Sequence, residues 1–267
     1  MYLQPLTETT DLVKLIVPGK QGSLALNHCE GAAIPIVFVH ADPGSSRQWA
    51  TLINFFAANH ALAAYDARGA GASAAADNDD YSFQGRAEDL AQVVDALGYK
   101  KCVFVAHSGG VAVAMQYAGA NAERVAGLFL LDPPVDPQHV PENMWSEAIA
   151  TLKGPAAEDF FLSYIASIAG SDPAVRAQVL QDAQQIAAPA RAAMTQALST
   201  WNPAAAFKAV EAPVFMLSTA ENVGLVELWG LNEDQHGVSH NSGHWIQLDD
   251  PELVIAKLTG FLDRLED

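Results

Sequence analysis

Apolar positions fall into short continuous runs, separated by turn-forming residues or by stretches with helical spacing. Leu12–Val17 and Ser23–Cys29 flank Pro18-Gly19-Lys20-Gln21-Gly22, the pattern of a β-hairpin at a sheet edge. Ile34–His40 is apolar without alternation, as in a strand covered on both faces. Ala41-Asp42-Pro43-Gly44-Ser45-Ser46 interrupts it, and Arg47–Asn59 then puts Trp49, Leu52, Ile53 and Phe56 on one helical face. His60–Asp66 reads as a strand, residues 66–73 as a tight glycine turn and Asp77–Asp80 as an acidic loop. Ser82–Leu97 reads as a helix capped by Ser82 and closed by Gly98. The β-branched run ending at His107 leads through Ser108 into a helix reaching about Ala120, and Val125–Leu131 is a further buried strand ending at Asp132-Pro133-Pro134. Strands alternating with helices predict βαβ units and a mostly parallel α/β sheet.

The alternation stops between residues 134 and 210. That stretch is alanine-rich and predicts helices over Trp145–Leu152, Ala156–Ala169, Pro173–Ala187 and Ala190–Thr200. A helical cap over 134–210, inserted into a core made of 1–133 and 211–267, is the expected organisation. Its bulky groups include Met144, Phe160, Ile168 and Trp201, most of them needed for packing; Trp145, Phe161 and Tyr164 are candidates to line a pocket. Pro213–Ser218 and roughly His236–His240 read as the last strands. Asn241-Ser242-Gly243-His244-Trp245 follows, and Pro251–Leu265 is a closing amphipathic helix.

The chain has 267 residues, is half hydrophobic, and carries a net charge of −17. Such a surface repels phosphate backbones and anionic lipid, so neither nucleic acid nor a membrane is an expected partner. A highly anionic substrate is disfavoured too, unless the site has its own positive field, and the 14 Lys and Arg show no cluster along the sequence. Cys29 and Cys102 lie on or beside strands and are expected to pack as small hydrophobes. Met1-Tyr2-Leu3-Gln4 lacks a leader pattern and no apolar run reaches membrane-spanning length. A cytoplasmic protein acting on a small molecule without a cofactor is expected, with a homodimer left open.

Ala106-His107-Ser108-Gly109-Gly110 joins a strand to a helix through one serine. The residues two before and two after that serine must be small, because the turn leaves no room for larger Cβ substituents. The pentad resembles the G-x-S-x-G elbow of the α/β-hydrolase superfamily, with Ala106 in place of the first glycine. His40-Ala41-Asp42-Pro43-Gly44-Ser45-Ser46-Arg47-Gln48-Trp49 resembles the family's His-Gly-x-Pro-Gly-Ser-Ser-x-x-Trp segment, with Ala41 in place of a glycine. The resemblance spans nearly the whole chain outside the cap and implies the α/β-hydrolase fold.

It also implies roles. Serine needs a base within hydrogen-bond reach, usually histidine, and the histidine needs a carboxylate behind it. Ser108 is the nucleophile by this resemblance and His244, in the loop after the last strand, the base. The acid has two candidates. The superfamily's usual position, after the penultimate strand, falls on Asn222, with Glu221 as neighbour; the alternative follows the preceding strand, at Asp132, as in haloalkane dehalogenases. Asp132 is preferred because a triad acid must be a buried carboxylate. The backbone N–H groups of Gly109 and Asp42 would form an oxyanion hole, with the Asp42 carboxylate turned away or paired with Arg47 or Arg68.

Of the other histidines, His40 and His107 are pocket candidates, as is Trp245, although loop bonding is the plainer role for His40. His28, His60 and His139 read as structural or exposed. His236, His240 and His244, spaced by four, would align as metal ligands on a helix, but on a strand they lie too far apart for one ion, so no metal is expected. The implied activity is hydrolysis of a neutral, fairly apolar ester or lactone through an acyl-enzyme. A serine at the elbow excludes the aspartate nucleophile of haloalkane dehalogenases. The alternatives are a cofactor-free oxygenase or lyase of this fold using the His–Asp pair as base, and a non-catalytic ligand-binding member.

Overall fold

The computed structural model describes residues 12–224 and 229–266; Met1–Gln4, on which the reading of the leader rests, lie outside them. The sheet is eight-stranded: β1 (Val13–Gly19), β2 (Gly22–Cys29), β3 (Ala33–Val39), β4 (His60–Tyr65), β5 (Cys102–His107), β6 (Val125–Leu131), β7 (Val214–Thr219) and β8 (His236–Ser239), in the spatial order β1-β2-β4-β3-β5-β6-β7-β8. The hairpin is antiparallel, with Leu15 opposite Leu26, and β2 runs antiparallel to β4; every later pairing is parallel.

The unbroken apolar runs have a simple cause. Successive side chains of a strand point to opposite faces, and both faces of this sheet are covered. Phe104 and Ala106 of β5 pack with α2 (Phe83–Ala96) and α3 (Gly109–Ala120). Val103 and Val105 pack on the other side with α1 (Ala50–Phe56) and the closing helix Pro251–Glu266. Ser82 caps α2 by accepting the Gly85 N–H at 3.0 Å, as its sequence position predicts. The helix expected over Arg47–Asn59 is shorter: a 3-10 turn, Ser46–Trp49, leads into α1. The hydroxyl of Ser45 is engaged elsewhere, donating to Asp182 at 3.1 Å, and the Ser46 N–H donates to Asp66 at 2.7 Å. The loop therefore enters the helix in a tightened turn without a side-chain cap.

Between β6 and β7 lie α4 (Glu142–Leu152), α5 (Ala157–Ile168), α6 (Pro173–Gln184), α7 (Ala188–Ser199) and α8 (Pro203–Lys208). The last lies beyond the helices that spacing predicts; its start is set by Asn202, which accepts the Ala205 N–H at 2.9 Å, and by Pro203 at the first position. A short turn, α9 (Ile246–Asp249), precedes the closing helix α10 (Pro251–Glu266). Asp182 of α6, 2% exposed, ties this helical insertion to the loop after β3: it accepts from Ser45, from Gln48 at 2.7 Å and from Arg47 at 2.5 Å. Cys29 and Cys102 are buried free thiols. Among the described residues, no helix is long and apolar enough to cross a membrane.

The carboxyl ends of β3, β5, β6 and β7 open onto the helical insertion, and Gly110 sets how closely they gather. A Cβ on Gly110 would lie 2.5 Å from the Val39 carbonyl oxygen and 2.6 Å from that of His40, both backbone atoms. Gly110→Ala is expected to destabilise the protein by about 2 kcal/mol or more, through overpacking against an unyielding main chain. Urea denaturation checks it, and wild-type stability in the variant contradicts the close approach.

Candidate active site

Ser108 sits where β5 becomes α3, with φ 51° and ψ −123°, a conformation that costs an L-residue about 1–3 kcal/mol. The surroundings hold it there. Its N–H donates to the Leu131 carbonyl at 3.0 Å, and its own carbonyl accepts the Val111 N–H at 2.8 Å. The side chain is thereby raised into a cavity of about 1100 Å³ between the sheet ends and the insertion. Gly109 begins α3, so its N–H lies among the unpaired donors of a helix start.

His244 and Asp132 face the same cavity. His244 Nδ1 lies 2.6 Å from Asp132 Oδ2; a carboxylate only accepts, so Nδ1 carries the proton and Nε2 is left bare. Asp132 is 1% exposed and has φ 37°. It also accepts from the Thr219 N–H at 2.8 Å, the Thr219 hydroxyl at 3.0 Å and the Asn222 amide at 2.9 Å. Burial alone would push the Asp132 carboxyl up. The bond to His244 and the His244 charge, joined by the Thr219 and Asn222 donors, outweigh it and hold the group below the usual carboxylate range. Glu221, the other candidate acid, is exposed and also lines the cavity. Ser108 Oγ makes no hydrogen bond with the described residues.

Three pocket candidates lie off the cavity. His40 is buried among backbone: Nδ1 donates to the Ala41 carbonyl at 2.6 Å and Nε2 accepts from the Ala67 N–H at 2.8 Å. His107, fully buried, points away from Ser108 as neighbours on a strand must; Nε2 donates to the His244 carbonyl at 2.8 Å and Nδ1 accepts from Gln247 at 3.1 Å. Trp245 packs under the insertion with Ile165, Val179 and Ala183. Trp145, Phe161 and Tyr164 do line the cavity. His236 bonds the Asn232 carbonyl at the start of β8, the strand end away from the His244 loop.

The Asp42 carboxylate is paired, but with neither expected arginine. Arg86, 2% exposed, holds it through Nη1. Arg47 is taken by Asp182, and Arg68 by Asp89 at 2.6 Å together with the Asp80 and Gly85 carbonyls. Gly109 accommodates the arrangement, since a Cβ there would lie 2.1 Å from Asp42 Oδ1.

Nothing local in the chain marks Thr219 as a donor, Asn222 is marked only as the position where the family's usual acid falls, and nothing marks the way the insertion holds the histidine loop. The His244 N–H donates to the Ile168 carbonyl of α5 at 3.0 Å, and a Cβ on Gly243 would lie 2.2 Å from the Gly170 nitrogen.

Burial lowers the pKa of both His40 and His107, with the nearby His244 charge adding to it at His107. Each imidazole therefore binds its proton less readily in the fold than in the unfolded chain. Because the unfolded chain binds more protons, stability is complete above about pH 6.5 and falls below it, by up to about 1.4 kcal/mol per pH unit for each imidazole. Urea denaturation between pH 5 and 7 is expected to give that slope, reduced by about one proton in His107→Gln; an unchanged slope contradicts a neutral buried His107.

Residues 36–257 match the family described as "Alpha/beta hydrolase family". Curated relatives include a putative carbamate hydrolase RutD of Pseudomonas savastanoi pv. phaseolicola, 30% identical over 108 residues, which are 40% of this chain and 42% of that one. A soluble epoxide hydrolase of Corynebacterium sp. is 34% identical over 104 residues, 38% of this chain and 35% of that one. The matches thus span about two-fifths of these relatives' length. Among solved structures, a thermophilic esterase from Thermogutta terrifontis superposes with TM-score 0.82 at 19% identity, covering 97% of this chain and 100% of that one. The enol-lactonase from Burkholderia xenovorans LB400 gives TM-score 0.81 at 14% identity, covering 93% and 100%. With its sheet order, its strand-to-helix serine and a family match over residues 36–257, the chain belongs to the alpha/beta hydrolase family.

Proposed function

We propose that the protein is a serine hydrolase that cleaves a small, fairly apolar carboxylic ester or lactone through an acyl-enzyme, with the helical insertion acting as the cap over its substrate. The observation that carries this reading is the 2.6 Å bond from His244 Nδ1 to a buried Asp132, facing one cavity together with Ser108. The sheet's likeness to an esterase and an enol-lactonase adds weight to acyl-transfer chemistry.

In this mechanism Ser108 Oγ attacks the carbonyl carbon while its proton moves to His244 Nε2. The negative charge of the tetrahedral intermediate falls on the carbonyl oxygen, where the N–H groups of Gly109 and Asp42 stabilise it. The C–O bond to the leaving alcohol breaks as His244 returns the proton to that oxygen. Water then gives its proton to His244 and attacks the acyl-enzyme, and Ser108 is released with a free carboxylic acid. Asp132 keeps His244 in the right tautomer and stabilises the imidazolium; it stays ionised. Met144, Phe161 and Ile165 line the cavity and suit an apolar acyl chain.

A fluorophosphonate probe followed by peptide mass spectrometry is expected to find one adduct on Ser108, absent in Ser108→Ala. Turnover of short acyl esters is expected to fall roughly a thousandfold or more in Asp132→Asn, in keeping with loss of a triad acid, and to stay within about twofold in Glu221→Gln, as for other exposed substitutions. An unlabelled Ser108 overturns the acyl-enzyme. Loss in Glu221→Gln with retention in Asp132→Asn overturns the choice of acid.

A further inference from the structure

The chain has seven arginines, and four of them meet an aspartate: Arg47 with Asp182, Arg68 with Asp89, Arg86 with Asp42, and Arg124 with Asp95. Arg264 lies over the rings of Phe215 and Phe261, far along the closing helix. The remaining two, Arg176 and Arg191, both line the cavity, and neither forms an ion pair among the described residues. They come from different helices, α6 and α7, which is why no basic cluster is visible along the sequence.

Arg191 is the exceptional one. It is only 7% exposed, in a protein whose acidic residues outnumber its basic ones 31 to 14. Its guanidinium lies over the Phe161 ring, 5.2 Å from the centroid. Nη2 donates to the Gln184 carbonyl at 3.3 Å, a long contact, and Nε is buried with no hydrogen-bond partner. A buried cation without a counter-ion is costly, and an arginine in that state is normally paired. The acids that share the cavity do not supply the charge. Asp132 is occupied by His244, Thr219 and Asn222, Asp42 by Arg86, and Glu147 and Glu221 are exposed.

We infer that Arg191 is the recognition point for a carboxylate carried by the substrate, distant from the scissile carbonyl. This rests on the hydrolase reading above and narrows it to an otherwise apolar ester or lactone bearing one carboxylate. A guanidinium on an aromatic face at the lining of a cavity recognises planar oxyanions by charge-assisted hydrogen bonds. The acidic exterior slows the approach of any anion, so the local cation is what makes such a ligand bind at all. Arg176, exposed at the same cavity, adds to the positive field.

The test compares two p-nitrophenyl esters of equal acyl length, the glutarate monoester and the neutral pentanoate, on the whole protein. Binding of glutarate itself is measured by calorimetry, which does not depend on hydrolysis. Wild type is expected to favour the charged ester in kcat/KM by about tenfold or more, the size of a hydrogen bond to a charged group. In Arg191→Gln that ratio falls about tenfold, mainly through KM, and glutarate binding falls likewise; Arg191→Lys retains part of both. An unchanged ratio and unchanged glutarate binding in Arg191→Gln overturn the inference. Should Arg191→Gln not fold, wild type decides: no preference for the charged ester and no glutarate binding overturn it. If neither ester turns over while glutarate binding depends on Arg191, the anion site stands and the hydrolase reading falls. If the pentanoate turns over while glutarate ignores Arg191, the hydrolase reading stands and the anion site falls.

Discussion

A carboxylate taken out of water stays ionised only when donors replace its hydration, and Asp132 collects them from two distant parts of the chain. β6 delivers the carboxylate itself, the end of β7 contributes Thr219 and the loop after it Asn222, and the loop after β8 contributes His244. β6, the end of β7 with its loop, and the loop after β8 are all separated in sequence. The parallel register that places Leu131 beside Leu217, and Thr219 beside Ser239, is what brings them within hydrogen-bond distance. Such a buried charge is weak evidence of added stability, because desolvation offsets much of the attraction. Its effect is directional: the oxygen that bonds Nδ1 fixes which face of the imidazole is bare.

The histidine loop depends equally on the helical insertion. Its backbone is held from both sides, by the Ile168 carbonyl of α5 and by the His107 ring beneath it. Gly243 and Gly170 permit main chains to meet where side chains would collide. Asp182 then anchors α6 to the loop after β3 through Ser45, Gln48 and Arg47. The insertion therefore closes the cavity and also fixes two of the loops that the proposed chemistry requires. Loosening it would disturb the geometry of His244 as well as access for a ligand.

Much of this architecture is legible along the chain. The two-sided burial of β3, β5 and β6 is written in their continuous apolar runs, and the elbow in the small residues around Ser108. The helices α4–α7 of the insertion follow from spacing. Other features are written nowhere locally. His107 borders Ser108, yet the two-residue period of a strand turns it under the sheet. Asn222 occupies the position where the family's usual acid would fall and cannot carry the charge, yet it donates to the carboxylate that does. Arg86 lies in the first turn of α2 with no pattern to mark it, and its tie to Asp42 spans 44 residues. Long-range pairing of this kind is decided by which strand ends meet, and hydropathy carries no trace of it.

The Asp42–Arg86 pair bears on the chemistry in a way that the composition conceals. A lone carboxylate beside Gly109 would oppose negative charge developing on a bound carbonyl, and a low-dielectric cavity would magnify the opposition. Arg86 removes most of that field by neutralising Asp42 at contact distance. The guanidinium keeps Nε and Nη2 buried and unpartnered, and stacks over Phe83 at 4.8 Å. The pair thus leaves donors in excess of acceptors beside the start of α3. The aspartate at this loop position is then compatible with an oxyanion site only because a second residue, from a helix on the far side of the loop, accompanies it. Substituting Asp42 alone would strand the arginine, and substituting Arg86 alone would restore the repulsion, so the two positions act as one unit in setting the potential at Gly109.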